Sequence, residues 1–212
     1  MSELRPELAA IAGMIRPGTR VLDVGCGDGA LLDHLVRNKG ADGRGIELSQ
    51  QNVNACVARG LSVVQGDADT DLGEYPAGVF DAVILSQTIQ ATEKPAKVLK
   101  DMLRIGRRVA VSLPNFGYWK VRASLLVRGR MPRTRTLDYS WYDTPNIHLC
   151  TLADFIGLTR EVNAVISEAH TLDDAGHTRR IRPETVTSGF FGPNLTAPGA
   201  IFLIKQGSAR PD

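Results

Sequence analysis

The stretch VLDVGCGDG, residues 21–29, decides the fold of this chain of 212 residues. It begins as a short apolar run, reaches three glycines, and is followed by Leu31, Leu32, Leu35 and Val36 at helical spacing. This change of period is typical of a strand, a tight loop and the first turn of a helix. Glycines let the backbone approach a ligand closely, and the N–H groups at a helix N-terminus favour polar oxygens. We therefore expect a nucleotide-binding loop here.

Composition limits the classes of protein to consider. With 43% hydrophobic residues, 23% charged residues and a formal net charge of +2, the chain resembles neither a disordered protein nor a general nucleic-acid binder. Its length suits one domain over residues 1–212. Three widely spaced cysteines and four scattered histidines predict neither a disulfide framework nor a metal site. The absence of a leader-like segment or a long apolar run predicts a cytoplasmic protein without a membrane span.

Strand-like and helix-like segments alternate along the chain after an apolar-faced helix over residues 4–15. Strands are predicted at 21–24, 44–48, 61–65, 80–85 and 109–113, and helices at 29–38, 49–59 and 95–105. Parallel neighbours need crossover helices on both faces, so this alternation predicts an α/β fold with a Rossmann-like, doubly wound and mostly parallel sheet. Further on, the sequence predicts a helix at 151–160 with a capping box, strands at 164–170 and 200–204, and a disordered tail at 206–212.

Residues 114–150 interrupt this alternation. They are rich in aromatic and arginine residues and are too long for a simple connection, so we expect an insertion that folds as a lid over the carboxyl end of the sheet. Eight basic residues and no acids lie between residues 105 and 137: Arg107, Arg108, Lys120, Arg122, Arg128, Arg130, Arg133 and Arg135. Such a block can bind an anionic small molecule or an acidic protein surface, less readily RNA, or it can be a solvated face.

Acidic side chains accompany the first three predicted strands. Asp23 lies within the first strand, Glu47 ends the second, and Asp67 follows the third. Ligands of open α/β sheets bind at the carboxyl ends of strands, and an acid about 20 residues beyond the first glycine is placed to bind ribose, as Glu47 is. The glycine pattern alone also fits a dinucleotide. Asp23, however, would repel a pyrophosphate and attract the ammonium and sulfonium of S-adenosylmethionine, which favours the latter cofactor.

At this point the sequence resembles the class I S-adenosylmethionine-dependent methyltransferases, through VLDVGCGDG, GIELS at 45–49, GDAD at 66–69 and FDAVILSQ at 80–87. The resemblance implies that the three glycines approach the methionine part, Asp23 holds its amino group, and Glu47 binds ribose. It also implies that Asp67 and Ala68 contact adenine. The full set of expected cofactor-binding residues, for S-adenosylmethionine or S-adenosylhomocysteine, is Asp23, Gly25, Gly27, Gly29, Glu47, Asp67, Ala68 and Ser86.

The second half of the chain is similar to a narrower family. SLPNFGYWKVRASLLVRGRMPRT at 112–134 and LDYSWYDTPNIHLCTLADF at 137–155 resemble the methionine biosynthesis protein MetW family. The resemblance implies a methyltransferase-like fold and association with homoserine O-acyltransferase, whose activity the family is thought to support. Nucleic acid and membrane are not expected as partners, and the oligomeric state stays open.

Catalytic residues are the least defined part of the sequence. The segment 85–88 lacks the Asn/Asp-Pro-Pro-aromatic motif with which some methyltransferases hold a nitrogen, and His148 is the best candidate for a general base. Two functions therefore stay open. The protein binds S-adenosylmethionine and supports or regulates homoserine O-acyltransferase, or it methylates a small anionic acceptor held under the insertion. The missing motif and the family resemblance favour the first.

Overall fold

The computed structural model describes residues 4–134, 136–187 and 192–207. Its strands are β1 Arg20–Val24, β2 Asp42–Glu47, β3 Ser62–Gln65, β4 Ala82–Ser86, β5 Val109–Pro114, β6 Ala164–Leu172, β7 Thr178–Ile181 and β8 Gly199–Gln206. Its α-helices are α1 Pro6–Met14, α2 Ala30–Lys39, α3 Gln50–Ala58, α4 Pro95–Ile105, α5 Trp119–Arg128, α6 Leu152–Glu161, α7 Pro183–Thr187 and α8 Pro193–Thr196.

The eight strands form one sheet in the order β3-β2-β1-β4-β5-β8-β6-β7. Neighbours among β1 to β5 are parallel, and β8 runs antiparallel between β5 and β6. This confirms the predicted α/β class and the mostly parallel, Rossmann-like sheet. The strand order reverses between β1 and β4, so the crevice beyond their carboxyl ends is the point at which such folds bind ligands.

Helices cover both faces of the sheet because the central strands are apolar on both sides. Leu22 and Val24 of β1 pack in the cluster that includes α4 and α6, whereas Val21 packs with α1 and α2. Successive side chains of a strand point to opposite faces, and interior parallel strands are therefore apolar at almost every position. The two clusters together hold β1 and β4 rigidly where the candidate site begins.

Of the two N-terminal caps considered, for α6 and α3, the structure contains one. The capping box of α6 is confirmed: the Thr151 hydroxyl accepts the Asp154 N–H over 3.2 Å, and the Asp154 carboxylate accepts the Thr151 N–H over 2.9 Å. Ser49 precedes α3, but its side chain makes no capping hydrogen bond. Its own N–H is instead bound by Glu47, over 2.9 Å. Of the predicted tail, Gln206 belongs to β8, and 208–212 lie outside the described residues.

Between residues 114 and 150, the part of the chain that the structure describes contains one helix, α5, and a loop that returns to α6. Asn115 is 1% exposed, and its amide donates hydrogen bonds to the carbonyl oxygens of Asn194 (3.0 Å) and Ala197 (2.8 Å). A small apolar cluster of Tyr118, Val121 and Leu137 lies apart from the main core. The segment is also joined to the domain through Tyr118 and Lys120, which both contact Asp174, and through Thr136, which donates to the Pro198 carbonyl oxygen.

In the described residues no helix is both long enough and apolar enough to cross a membrane.

Candidate cofactor-binding site

The glycine turn between β1 and α2 has all three glycines at positive φ, between 56° and 78°. At Gly25 an added Cβ would lie 2.9 Å from the Thr88 hydroxyl oxygen, so the absence of a side chain permits packing within the protein. At Gly27 nothing lies within 4 Å of such a Cβ. Gly27 therefore leaves open space beside its backbone, which is the property that a ligand-binding loop needs.

Glu47 joins the end of β2 to the glycine turn. Its Oε2 accepts the Gly27 N–H over 2.8 Å, and its Oε1 accepts the Ser49 N–H over 2.9 Å and the Asn52 side-chain amide over 3.3 Å. A carboxylate offers about four lone-pair positions, so Oε2 retains one for a further donor. The buried, oriented carboxylate of Glu47 fits the role expected from the sequence, the binding of a ribose hydroxyl.

Asp23 is a buried carboxylate in the middle of the sheet, with 2% of its surface exposed. Burial first, and then the charge of Glu47, raise the pKa of Asp23 to about 7. Within the described ranges no group donates a hydrogen bond to it, and a buried charge without a partner is costly. The ammonium group of S-adenosylmethionine would supply both a donor and a compensating charge, so this side chain also fits the expected cofactor.

The turn after β3 contains the two residues expected near adenine, Asp67 and Ala68. Asp67 accepts the Asp69 N–H over 2.8 Å and donates its own N–H to the Asp71 carboxylate over 2.8 Å. Ala68 is partly buried against the main core. Asp69 in turn accepts backbone N–H groups of residues 93 and 94, each over 2.8 Å, just before α4. The turn is therefore held by two carboxylates that were not expected to have a role: Asp71 binds the Asp67 N–H, and Asp69 binds the segment before α4.

Ser86 ends β4, and its hydroxyl contacts Glu7 of α1 rather than open space. Its Oγ lies 3.2 Å from Glu7 Oε1 and 3.3 Å from the Ser112 hydroxyl. Because Asp23 lies opposite Ile84, two residues before Ser86, the side chains of Asp23 and Ser86 share one face of the sheet. A direct contact of Ser86 with the cofactor stays a prediction.

Glu7 is the main residue that sequence reasoning missed. It is buried, and its carboxylate also accepts hydrogen bonds from the Gln87 amide and the Ser112 hydroxyl. The available signal was its position: Glu7 lies three residues after Leu4 and four before Ile11, so it is an acid on the apolar face of α1. That position carries a carboxylate to the carboxyl ends of β4 and β5.

His148, the predicted base, is exposed in the loop before α6. Its backbone N–H donates to the Gln90 carbonyl over 2.9 Å, and its Nε2 lies 3.3 Å from the Glu93 carbonyl oxygen. No hydrogen bond among the described residues joins it to the expected cofactor-binding side chains. Its catalytic role stays a prediction.

The basic residues expected to form one block are divided between two ends of β5. Arg107 and Arg108 precede the strand, where they pair with Asp81 (3.5 Å) and Glu168 (3.6 Å). Five others follow the strand, on or after α5, and Arg135 lies outside the described residues. The expectation of a single block was therefore wrong, because a buried strand separates its first two members from the rest.

Solved structures with the same fold include a SAM-dependent methyltransferase from Archaeoglobus fulgidus, with a TM-score of 0.68, 14% identity, and coverage of 95% of this chain and 92% of that one. Another is the [4+2]-cyclase SpnF, with a TM-score of 0.66, 17% identity, and coverage of 96% and 82%. The fold is therefore that of the class I S-adenosylmethionine-dependent methyltransferases. SpnF's name shows that this fold also serves another chemistry.

The chain belongs to the methionine biosynthesis protein MetW family, whose pattern it matches over residues 5–204. It is 34% identical over 206 residues to the bifunctional methionine biosynthesis protein MetXA/MetW of Rhodopirellula baltica, covering 93% of this chain and 32% of that protein. It is also 33% identical over 96 residues to the ubiquinone biosynthesis O-methyltransferase of Hahella chejuensis, covering 43% and 40%. The chain thus spans less than half the length of either relative.

Proposed function

We propose that this protein binds S-adenosylmethionine, or its product S-adenosylhomocysteine, at the carboxyl ends of β1, β2 and β3. The observation that carries the proposal is the Glu47 carboxylate, held by Gly27 and Ser49 with Oε2 open to a further donor. Asp23 binds the amino group of the ligand, and Glu47 binds its ribose. Asp67 and Ala68 meet its adenine.

The chain's own residues bind and orient this cofactor. When bound, S-adenosylmethionine supplies an electrophilic methyl group on a positively charged sulfur. The buried Asp23 favours that positive charge, and the open backbone at Gly27 admits the ligand without a steric clash. None of these roles requires a catalytic base, so they serve a sensor of the cofactor as well as an enzyme.

We further propose that the protein acts in methionine biosynthesis by supporting or regulating a homoserine O-acyltransferase in the cytoplasm. Membership of the MetW family supports the pathway, and the name of the Rhodopirellula relative joins MetXA and MetW in one bifunctional protein. The family resemblance supplies the identity of the partner. Because S-adenosylmethionine is made from methionine, its binding here would report the output of the pathway to an early enzyme.

The second candidate is methyl transfer to a small anionic acceptor held beneath residues 114–150. Relatives named as O-methyltransferases favour it. His148, however, is exposed, and its Nε2 contacts the Glu93 carbonyl oxygen rather than any of the expected cofactor-binding residues. The observed contacts of His148 therefore do not support a role as the catalytic base. We therefore place the support of a partner enzyme first.

Two measurements on the purified protein test these proposals. Calorimetry should show binding of S-adenosylmethionine or S-adenosylhomocysteine by the wild-type chain and much weaker binding by Glu47→Ala. Mixing the chain with a homoserine O-acyltransferase should form a complex and change the acyl-transfer rate. If no complex forms and the acyl-transfer rate is the same with and without the chain, the acyltransferase is not its partner. Transfer of labelled methyl groups to small anions would instead favour the methyltransferase function.

A further inference from the structure

The largest group of exposed apolar side chains in the described residues lies on α5 and the loop after it. Fourteen large hydrophobic residues are exposed, and ten of them fall between residues 119 and 149. Leu126 and Val127 are 88% and 80% exposed. Such a concentration of exposed apolar side chains in one segment favours an interaction site, because large exposed apolar surfaces are uncommon on monomers.

We define the α5 surface by six residues that combine these apolar groups with positive charge. They are Trp119, Leu126, Val127, Arg128, Arg130 and Met131. Five of them line an open groove of about 920 Å³ between α5 and residues 130–134. None of the expected cofactor-binding residues lines that groove. A methyl acceptor bound in the groove would therefore not be held by the cofactor site.

The apolar part of the α5 surface is free because α5 packs on the domain through another side of the helix. Val121 is buried against Tyr118 and Leu137, and this small cluster is the only buried part of α5 in the structure's described residues. Leu126 and Val127 lie on the other side of the helix, because at about 100° per residue they are about 140° and 240° around the axis from Val121. Apolar packing within the domain therefore uses one narrow side of α5 and leaves Leu126 and Val127 exposed.

Charge indicates what kind of surface would cover α5. Lys120 pairs with Asp174, and Arg133 lies 3.9 Å from Asp138. Arg128 and Arg130 have no acidic partner among the described residues, and residues 115–137 contain no Asp or Glu. Two arginines beside an apolar patch complement a surface that is itself apolar and bears carboxylates.

We propose that the α5 surface docks an apolar, carboxylate-bearing face of the homoserine O-acyltransferase, an inference that rests on the partner proposed above. A membrane fits the α5 surface less well than a protein does. Interfacial helices separate an apolar side from a basic side along their length, whereas here the apolar residues 125–127 are consecutive and spread around the helix. Docking here leaves the cofactor site accessible, so one protein can bind the cofactor and the enzyme at the same time.

The test uses two double variants of the full chain with purified acyltransferase. Leu126→Ser with Val127→Ser removes the apolar part, and Arg128→Glu with Arg130→Glu reverses the charge. Each should raise the dissociation constant of the complex by about tenfold or more, since central apolar and arginine contacts dominate such interfaces. The charge variant should also slow association and abolish much of its salt dependence.

Matched controls make the same types of substitution at exposed positions outside the α5 surface. Val57→Ser with Val165→Ser alters exposed valines on α3 and β6, and Lys100→Glu with Lys205→Glu makes the same change in net charge. Both should leave the dissociation constant within about twofold, as substitutions outside an interface do. Retained affinity for S-adenosylmethionine shows that each variant is folded.

The outcomes separate the docking surface from the partner itself. If wild-type chain binds the acyltransferase and the α5 variants bind equally well, the docking surface is wrong and the partner stands. If wild-type chain forms no complex, both fail. A third outcome is that the α5 variants still bind the acyltransferase but no longer bind another copy of the chain, phosphatidylserine vesicles or RNA. In that case the α5 surface binds that other ligand, and the inference is overturned.

Discussion

The backbone N–H of Gly27 lies 2.8 Å from Oε2 of Glu47, so one hydrogen bond ties the turn after β1 to the end of β2. The carboxylate proposed to bind ribose is therefore also a structural support of the loop proposed to hold the methionine part. We therefore expect cofactor binding and loop order to be coupled through this pair, and variants of Glu47 must be measured for both.

We expect Glu47→Ala to lower the affinity for S-adenosylmethionine by about tenfold or more and the free energy of unfolding by about 1–3 kcal/mol, because the backbone N–H groups of Gly27 and Ser49 both lose their acceptor. Calorimetry and denaturant unfolding measure the two effects. Asn52→Ala is the matched control: it removes only the 3.3 Å contact to the same carboxylate and should change either quantity little. Unchanged cofactor affinity in Glu47→Ala would contradict the ribose assignment.

The raised pKa of Asp23 predicts how stability depends on pH. The pKa is about 7 in the folded chain, against 3.8 for an ordinary aspartate, so the folded state holds an extra proton between these values. Stability therefore falls as pH rises through this window and stays low above it. Asp23→Asn should raise the free energy of unfolding by on the order of 2 kcal/mol at about pH 8, and much less at about pH 4. Urea unfolding at both pH values measures this; a less stable variant at about pH 8 would contradict it.

The same group predicts the pH dependence of cofactor binding. A cationic ligand binds the ionised form of Asp23, so affinity should increase up to about tenfold per pH unit below the pKa and level off above it. Binding should release a proton, which calorimetry in buffers of different ionisation enthalpy detects at about pH 6.5. Asp23→Asn should bind weakly with no such dependence. A flat pH profile in the wild type would show that Asp23 does not meet the charged part of the ligand.

The sheet could be predicted from the sequence because its central strands carry strong local signals. β4 is a continuous apolar run that ends at Ser86, and β5 is apolar except at Ser112 and ends at Pro114; buried parallel strands are typically this rich in apolar residues. β7 was missed because its residues TRRI are almost all exposed, at the edge of the sheet, where no burial pattern arises. α5 was missed because its apolar residues, apart from the buried Val121, are mostly exposed and give no regular helical stripe.

The candidate site was predictable where its residues lie in one motif or at a fixed spacing from it. Asp23, the glycines and Glu47 belong to neighbouring strand ends, which local sequence identifies. Glu7 and Ser112 are 105 residues apart and meet only because α1 crosses the face of β5. Such contacts depend on the packing of a helix across the sheet, which no local pattern encodes.

Glu7 gives a prediction that concerns the chain as folded, without ligand. Glu7→Ala leaves the buried Ser112 and the half-buried Ser86 and Gln87 side chains without their shared acceptor, and should lower the free energy of unfolding by about 2–3 kcal/mol. Glu7→Gln, which keeps one acceptor oxygen, should cost less. Glu161→Ala, an exposed acid at the end of α6, is the control and should cost under about 0.5 kcal/mol. Equal unfolding midpoints for Glu7→Ala and the control would show that the cluster does not stabilise the fold.

Asn115 gives a prediction about the segment that carries the α5 surface. Its buried amide holds the carbonyl oxygens of Asn194 and Ala197, and its Oδ1 accepts the Gly117 N–H over 2.8 Å. Asn115→Ala should therefore lower the free energy of unfolding by about 2–3 kcal/mol and speed trypsin cleavage on α5 and the loop after it, because their first attachment is lost. Asn54→Ala, which removes an exposed amide pair on α3, should do neither. Faster cleavage with an unchanged unfolding midpoint would mean that Asn115 orders only this segment. Unchanged cleavage would mean that the small cluster around Val121 holds α5 without it.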